Sequence, residues 1–259
     1  MSLMNDPTLA AIEKAKENRR NKNPKTPKTP KEVAETKEIS EPLKNLEVTY
    51  KKWNGKTKKK FKKLFEFVQD PSEVDIAEIM NILVYDHVVT KDDVVLTDAE
   101  QLNALHELYL LSISDRISNT LECVECGKRN KKTTKLSQKK FIPASPELDK
   151  GIEVLNLVIT RPTIKLSEDT HEMFRVTPDE YTSKRDIDDA LWFGDDVTKT
   201  IETLDDMSIK EIQQVFAEKT KSQGSFEFTT EVTCSNKECK SKTTHDIDVT
   251  SEVLRLLSE

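Results

Sequence analysis

Cys123-Val124-Glu125-Cys126-Gly127 and Cys234-Ser235-Asn236-Lys237-Glu238-Cys239 decide how this 259-residue chain is read. The first is C-x2-C-G. Its backbone turns so that amides face the thiolates, and Gly127 admits the positive φ that the turn needs. The second, C-x4-C, is longer but within metal-ligand spacing. Each pair sits at the tip of a predicted hairpin. Ser118 to Cys123 reads as a strand, Cys126-Gly127-Lys128 as a turn and Lys132 to Leu136 as the return. Phe226 to Val232 alternates as a strand, Cys234 to Cys239 turns and Thr243 to Val249 returns.

Two knuckle-bearing hairpins facing one another make a zinc ribbon. Cys123, Cys126, Cys234 and Cys239 are all the cysteines there are. Four thiolates around Zn2+ leave no open position for water or substrate, so the site reads as structural. The competing readings are buried unpaired thiols and a redox pair at Cys123/Cys126. No thioredoxin-like βαβ pattern precedes that pair. His245 is in reach as a substitute ligand but reads as a surface or strand histidine. The two pairs enclose residues 127–233, so one shared ion would staple distant parts of the chain.

Upstream of the first knuckle the pattern is helical. Phe61, Leu64, Phe65 and Val68 recur at helical spacing. A second helix is predicted over 74–87, with Ile76, Ile79, Met80 and Leu83 on one face. A third is predicted over 97–118, capped by Thr97. Leu102, Leu105, Leu108, Tyr109, Leu110, Leu111 and Ile113 give it a broad apolar surface, as in a helix buried between layers. Between the knuckles, 152–166 reads as two strands with a bend at Pro162. A helix at 208–221 starts at Ser208 with Glu211 completing a capping box, and Ile209, Ile212, Val215 and Phe216 as its core face. A short apolar helix spans 250–258. The expected fold class is α+β: a helical part packed on antiparallel strands, with the zinc ribbon formed by two distant cysteine hairpins. The expected regions are a basic, Pro-containing arm at 1–50, a helical region at 51–118 and a strand-rich region at 119–259.

Charge is unevenly placed. The net charge is −6, yet residues 1–63 sum to +10 and the remainder to −16. Residues 5–20 read as a short helix. Pro24-Lys25-Thr26-Pro27-Lys28-Thr29-Pro30 cannot propagate a helix and reads as extended linker. Lys51 to Lys63, with Lys58, Lys59 and Lys60 at its centre, is a candidate partner-binding run. No apolar run reaches the roughly 18 residues that span a bilayer, and Met1 to Asn23 shows no secretory h-region. A cytosolic setting, where thiols stay reduced, is therefore expected.

The segment 177–207 holds ten acidic against three basic residues. Asp186, Asp188, Asp189, Asp195 and Asp196 are of the type that holds catalytic divalent ions. On a polar loop they read instead as a solvated face around an apolar anchor, Trp192-Phe193, which is a candidate partner-binding spot. Asp86-His87 and His106 lie near no recognisable nucleophile, and no phosphate-cradling or dinucleotide fingerprint is present. No enzyme is expected.

One arrangement is family-like. Leu108-Tyr109-Leu110-Leu111-Ser112-Ile113-Ser114-Asp115-Arg116-Ile117 leads straight into the Cys-x-x-Cys-Gly hairpin. Ser208-Ile209-Lys210-Glu211-Ile212-Gln213-Gln214-Val215-Phe216 and Phe226-Glu227-Phe228 then precede the second cysteine hairpin and the last helix. Over residues 55–259 this resembles the T4-like bacteriophage baseplate hub assembly proteins. The C-x4-C departs from the commoner C-x-x-C second knuckle. The resemblance implies a non-enzymatic assembly, chaperone or structural role. Its partners would be other hub proteins, in the host cytoplasm during assembly or in the virion tail baseplate. It implies no catalytic residues. The alternative is a zinc-ribbon nucleic-acid-binding protein using residues 51–63 and 128–132, against which the acidic body argues.

Overall fold

In a computed structural model, residues 48–66, 83–90, 93–176 and 183–258 are described. The expected helix at 5–20, the linker, Val68, Ile76, Ile79 and Met80 lie outside them. The chain is α+β, built from helices and antiparallel strand pairs. Strand β1 (Thr49–Tyr50) pairs with β2 (Val88–Val89). Helix α1 (Gly55–Glu66) lies between them in sequence and carries the basic run. Its Phe61 is fully buried. Leu83 and Val84, in the helical residues 83–87, are buried as well.

Helix α2 (Asp98–Ser112) starts where Thr97 predicts. The Thr97 hydroxyl accepts from the Glu100 amide while the Glu100 carboxylate accepts from the Thr97 amide. It ends at Ser112 rather than 118, and β3 (Arg116–Glu122) begins almost at once. Ser114-Asp115-Arg116 gives a further helical turn no apolar face, whereas pairing Ile117 opposite Thr134 in a strand buries it. Nor is α2 buried all round: Ala104, Leu105, Leu108 and Tyr109 face the core, whereas Leu102, Leu110 and Ile113 are exposed.

Strand β3 pairs with β4 (Arg129–Lys135) in register from Arg116↔Lys135 to Glu122↔Arg129. Strand β5 (Lys140–Ile142) pairs with β8 (Ser225–Glu227), and β6 (Ile152–Val154) with β7 (Leu157–Ile159). Strand β9 (Thr229–Thr233) pairs with β10 (Lys242–Asp246), and α7 (Val249–Ser258) closes the described chain. The expected single strand Phe226 to Val232 is thus two, divided at Phe228, whose buried side chain lies in the core. Its two halves pair with different partners.

Between the knuckles three expectations change. Ile164 and Leu166 are in helix α3 (Ile164–Val176), not a strand. Pro162 ends the extended run, and the Thr163 hydroxyl then accepts from the Leu166 amide at the helix start. The acidic segment is not a loop. It carries helices α4 (Lys184–Ala190) and α5 (Val197–Asp205), started by Ser183 and Asp196 caps. On α6 (Ile209–Ser222), with the Ser208/Glu211 capping box as expected, Val215 is buried and Phe216 packs against the core. Ile209, expected on the core face, is 76% exposed. As the first residue of the helix it lies beyond the neighbours that cover Val215.

Three apolar clusters result. The first joins Trp53, Phe61, Leu83 and Leu108 to Phe228 and Val253, so residues before and after 118 share one core. The second contains Leu148, Ile159, Trp192, Phe193 and Val215, and the third Ile187, Leu191 and Val197. Each such buried side chain contributes about 1.5–3 kcal/mol.

His106 sits in the first core's wall, between Phe226 and Phe228, each with its ring centroid at 4.7 Å and edge-on. Burial, aided by Lys139, pushes its pKa down to about 3. The unfolded chain then takes the proton more readily than the fold. Stability from this residue is therefore complete above about pH 6.5 and lost as pH falls from there towards 3. The slope approaches about 1.4 kcal/mol per pH unit. Urea melts at pH 5 should show about 2 kcal/mol less stability from this source than at pH 8. His106→Phe should flatten most of that loss, leaving the smaller share of His87, whose pKa burial also lowers.

Candidate metal centre

The two hairpins present their tips to each other. The Cys123 amide donates to the Lys128 carbonyl and the Gly127 amide to the Cys123 carbonyl, closing the first knuckle. The Cys234 amide donates to the Ser241 carbonyl, and the Cys239 and Lys240 amides donate to the Asn236 carbonyl, closing the second. The residue after each distal cysteine is left-handed: Gly127 at φ 69° and Lys240 at φ 50°. The bond from Gly127 to Cys123 is repeated from Lys240 to Asn236, so the two extra residues of C-x4-C lie ahead of this turn and Lys240 takes the left-handed place of Gly127. A non-glycine residue there carries strain. Lys240→Gly is expected to raise thermal stability slightly, by about 0.5–1 kcal/mol, and Gly127→Ala to lower it by about 1 kcal/mol. Differential scanning calorimetry of the two variants checks both signs.

The four sulfurs all lie within 4.8 Å of one another. Cys123 Sγ is 3.8 Å from Cys239 Sγ, and Cys126 Sγ is 3.6 Å from Cys234 Sγ. A tetrahedron of sulfurs about 2.3 Å from an ion has S···S edges of about 3.8 Å, whereas a disulfide needs about 2.05 Å. The donor set therefore fits a metal ion, and all four thiols are free. Cys123 and Cys234 are buried, Cys239 is half-buried and Cys126 is exposed.

Polar neighbours tune the sulfurs. The Ser241 hydroxyl lies 3.1 Å from Cys123 Sγ and 3.2 Å from Cys239 Sγ. That hydroxyl first, and the Cys126 and Glu125 amides after it, bring the Cys123 pKa down to about 6. The Asn236 amide donates to Cys234 Sγ and lowers its pKa, but burial and the sulfurs of Cys126 and Cys123 outweigh it and raise Cys234 to about 11. The split is what crowded thiols require: one ionised sulfur opposes the next until a cation compensates them.

A bond independent of any ion also joins the hairpins. The Ser235 amide donates to Asn130 Oδ1, and Asn130 Nδ2 donates to the Lys128 carbonyl. Asn130 is buried at the inward position of β4. Neither Asn130 nor Ser241 stands out in the sequence. Asn130 lies within the polar run Lys128-Arg-Asn-Lys-Lys132, and only the strand register shows which of these faces inward.

The other candidate residues are placed elsewhere. His245 pairs opposite Thr230 on β10 and contacts the Thr243 hydroxyl, away from the sulfurs. Trp192 and Phe193 are 8% and 3% exposed, and with Phe216 they surround Lys219 Nζ at 5.5–6.0 Å. Lys219 in turn donates to Asp189 at 2.5 Å. The pair is thus an internal anchor with little ring surface left for a partner. The acidic residues do not converge: Asp186 caps α4, Asp188 meets His171 at 3.0 Å, and Asp196 caps α5. Among the described residues, the four cysteines are the group placed to hold a metal ion. Lys58 and Lys59 are exposed, and Lys60 pairs with Asp86. No described helix is long and apolar enough to cross a membrane.

The fold and site define an α+β chain with a four-thiolate cluster joining two hairpins, an arrangement suited to holding structure. The family model described as T4 bacteriophage base plate protein matches residues 30–255, and the chain belongs to that family. No curated protein and no solved structure matches it.

Proposed function

We propose that this chain is a non-enzymatic assembly or structural protein of the tail baseplate hub. It binds other hub proteins and is held in shape by one zinc ion on Cys123, Cys126, Cys234 and Cys239. Membership of the base plate family over residues 30–255 carries the reading. The closed thiolate set supports it, because four protein ligands leave no position for substrate. Zinc is the ion that suits four thiolates in a tetrahedron without redox chemistry. The exposed cations Lys58 and Lys59 on α1 are available to an acidic partner surface.

The test is affinity capture of the tagged chain from infected cells after cross-linking, with purified baseplates probed in parallel. Recovery of other hub proteins is the expected result. Their presence only in the cross-linked cell extract would make the chain an assembly chaperone, and its presence in baseplates a structural part. Recovery of nucleic acid without hub proteins would sink the reading.

A further inference from the structure

The outer face of the first hairpin is predominantly basic. Strand pairing places Arg116 beside Lys135, Ser118 beside Thr133, Thr120 beside Lys131 and Glu122 beside Arg129. All eight are exposed, giving four cations against one carboxylate along seven residues of strand. The Ser118 and Thr133 hydroxyls bond each other at 2.9 Å and Arg116 lies 3.9 Å from Asp115, so Arg129, Lys131 and Lys135 are the face's outward cations. At the end of this face the knuckle projects Val124, 77% exposed. Lys128 is exposed beside it, as is Glu125.

The opposite chemistry occurs on the second core. An open groove of about 560 Å³ is lined by Leu155, Asn156, Thr203, Asp206, Met207 and Glu211. Leu155 and Ile209 beside it are 52% and 76% exposed. Asp195, Asp196, Glu202 and Asp205 on or next to α5 are exposed, with Lys199 and Lys210 as the counter-charges. The groove offers Leu155 and Met207 for apolar contact beside the carboxylates of Asp206 and Glu211. The knuckle is an apolar knob with a basic flank.

We propose that copies of this chain dock head to tail. Val124 and the Arg129/Lys131/Lys135 face of one copy seat on the groove and acidic rim at Leu155, Asp205 and Asp206 of the next. The two faces sit over different cores, since Ile117 belongs to the first cluster and Met207 packs on the second. The contact is therefore heterologous, and repeated contacts close a ring or extend a filament. Desolvating Val124 in the groove supplies apolar burial, and the opposite charges set orientation and speed encounter.

Sedimentation velocity of the full metal-bound chain over a concentration series, at low and high salt, tests this. Mass should rise above the monomer with concentration and fall as salt is raised. Lys131→Glu/Lys135→Glu and Asp205→Lys/Asp206→Lys should each weaken association about tenfold or more. Metal content and melting temperature should be unchanged in both. Mixing the two variants should restore association, because the unreversed faces still complement each other and the two reversed faces are again of opposite charge. Val124→Asp should weaken association without altering the fold. A strict monomer at high concentration and low salt overturns the proposal. So does association that ignores both charge reversals, or a basic face whose reversal removes duplex DNA binding while self-association is absent throughout. None of these outcomes bears on hub-protein capture, which tests the proposed function separately.

Discussion

Cys123→Ser and Cys234→Ser are each expected to abolish metal binding in full, although each removes a ligand from a different hairpin. Elemental analysis should find one zinc per wild-type chain and none in either variant. The reason is the geometry of the cluster. The cross-hairpin distances, 3.8 Å for Cys123–Cys239 and 3.6 Å for Cys126–Cys234, are edges of one tetrahedron, not two separate pairs. Binding at such sites contributes on the order of 10–16 kcal/mol in zinc-finger peptides. The loss in this chain should be smaller, because the Asn130–Ser235 bond and the core contacts of Phe228, Ile247 and Val253 still hold β9, β10 and α7. Chelation should therefore lower the melting temperature by tens of degrees at most without unfolding the whole chain. Hydrogen exchange should accelerate first at 120–131 and 232–243. Zinc retained in the Cys234 variant would mean that the hairpins are separate, and the staple would fall.

Much of this site was legible in the sequence because spacing is its signal. Cysteine pairs at hairpin tips show themselves as a run of alternating residues broken by Cys and Gly. The capping boxes at Thr97 and Ser208 were legible for the same reason, since three-residue spacing identifies them. What did not show was anything set by distant partners. Ile164 and Leu166 are as good in a strand as in a helix, and the Thr163 cap that decides between them is one hydroxyl. Trp192 and Phe193 lie among acidic residues and read as an apolar anchor and candidate partner-binding spot. Lys219, 26 residues or more away in sequence, closes over them, and only the fold brings it there. Phe226 to Val232 has the alternation of one strand, and the choice of two partners depends on β5 and β10. Local pattern fixes local elements; pairing and burial are settled by the rest of the chain.

The residue that best illustrates this limit is Arg161, which sequence reasoning left unremarked. Its guanidinium donates to both oxygens of Glu100, at 2.6 and 3.0 Å, to Asp149 at 2.7 Å and to the Val95 carbonyl at 3.1 Å. The side chains of Arg161 and Glu100 are each 2% exposed. Burial lowers the Arg161 pKa, but the hydrogen bonds and charges of Glu100 and Asp149 more than offset that, so the guanidinium stays charged. Glu100 also completes the capping box of α2, and Thr97 Oγ1 donates to the Gln223 carbonyl past the end of α6. One arginine thus ties the start of α2 to the segment after β7, and through Thr97 to α6. Arg161→Ala is expected to cost about 3–5 kcal/mol in urea unfolding, because it leaves a buried carboxylate without its counter-ion. Arg161→Met/Glu100→Gln should cost less than the sum of its single changes. The glutamine carbonyl still accepts from the Thr97 amide, and neither buried charge remains. Strict additivity in that double-mutant cycle would mean that the ion pair does not act as a unit. The start of α2 would then be held to the segment after β7 by contacts other than this ion pair.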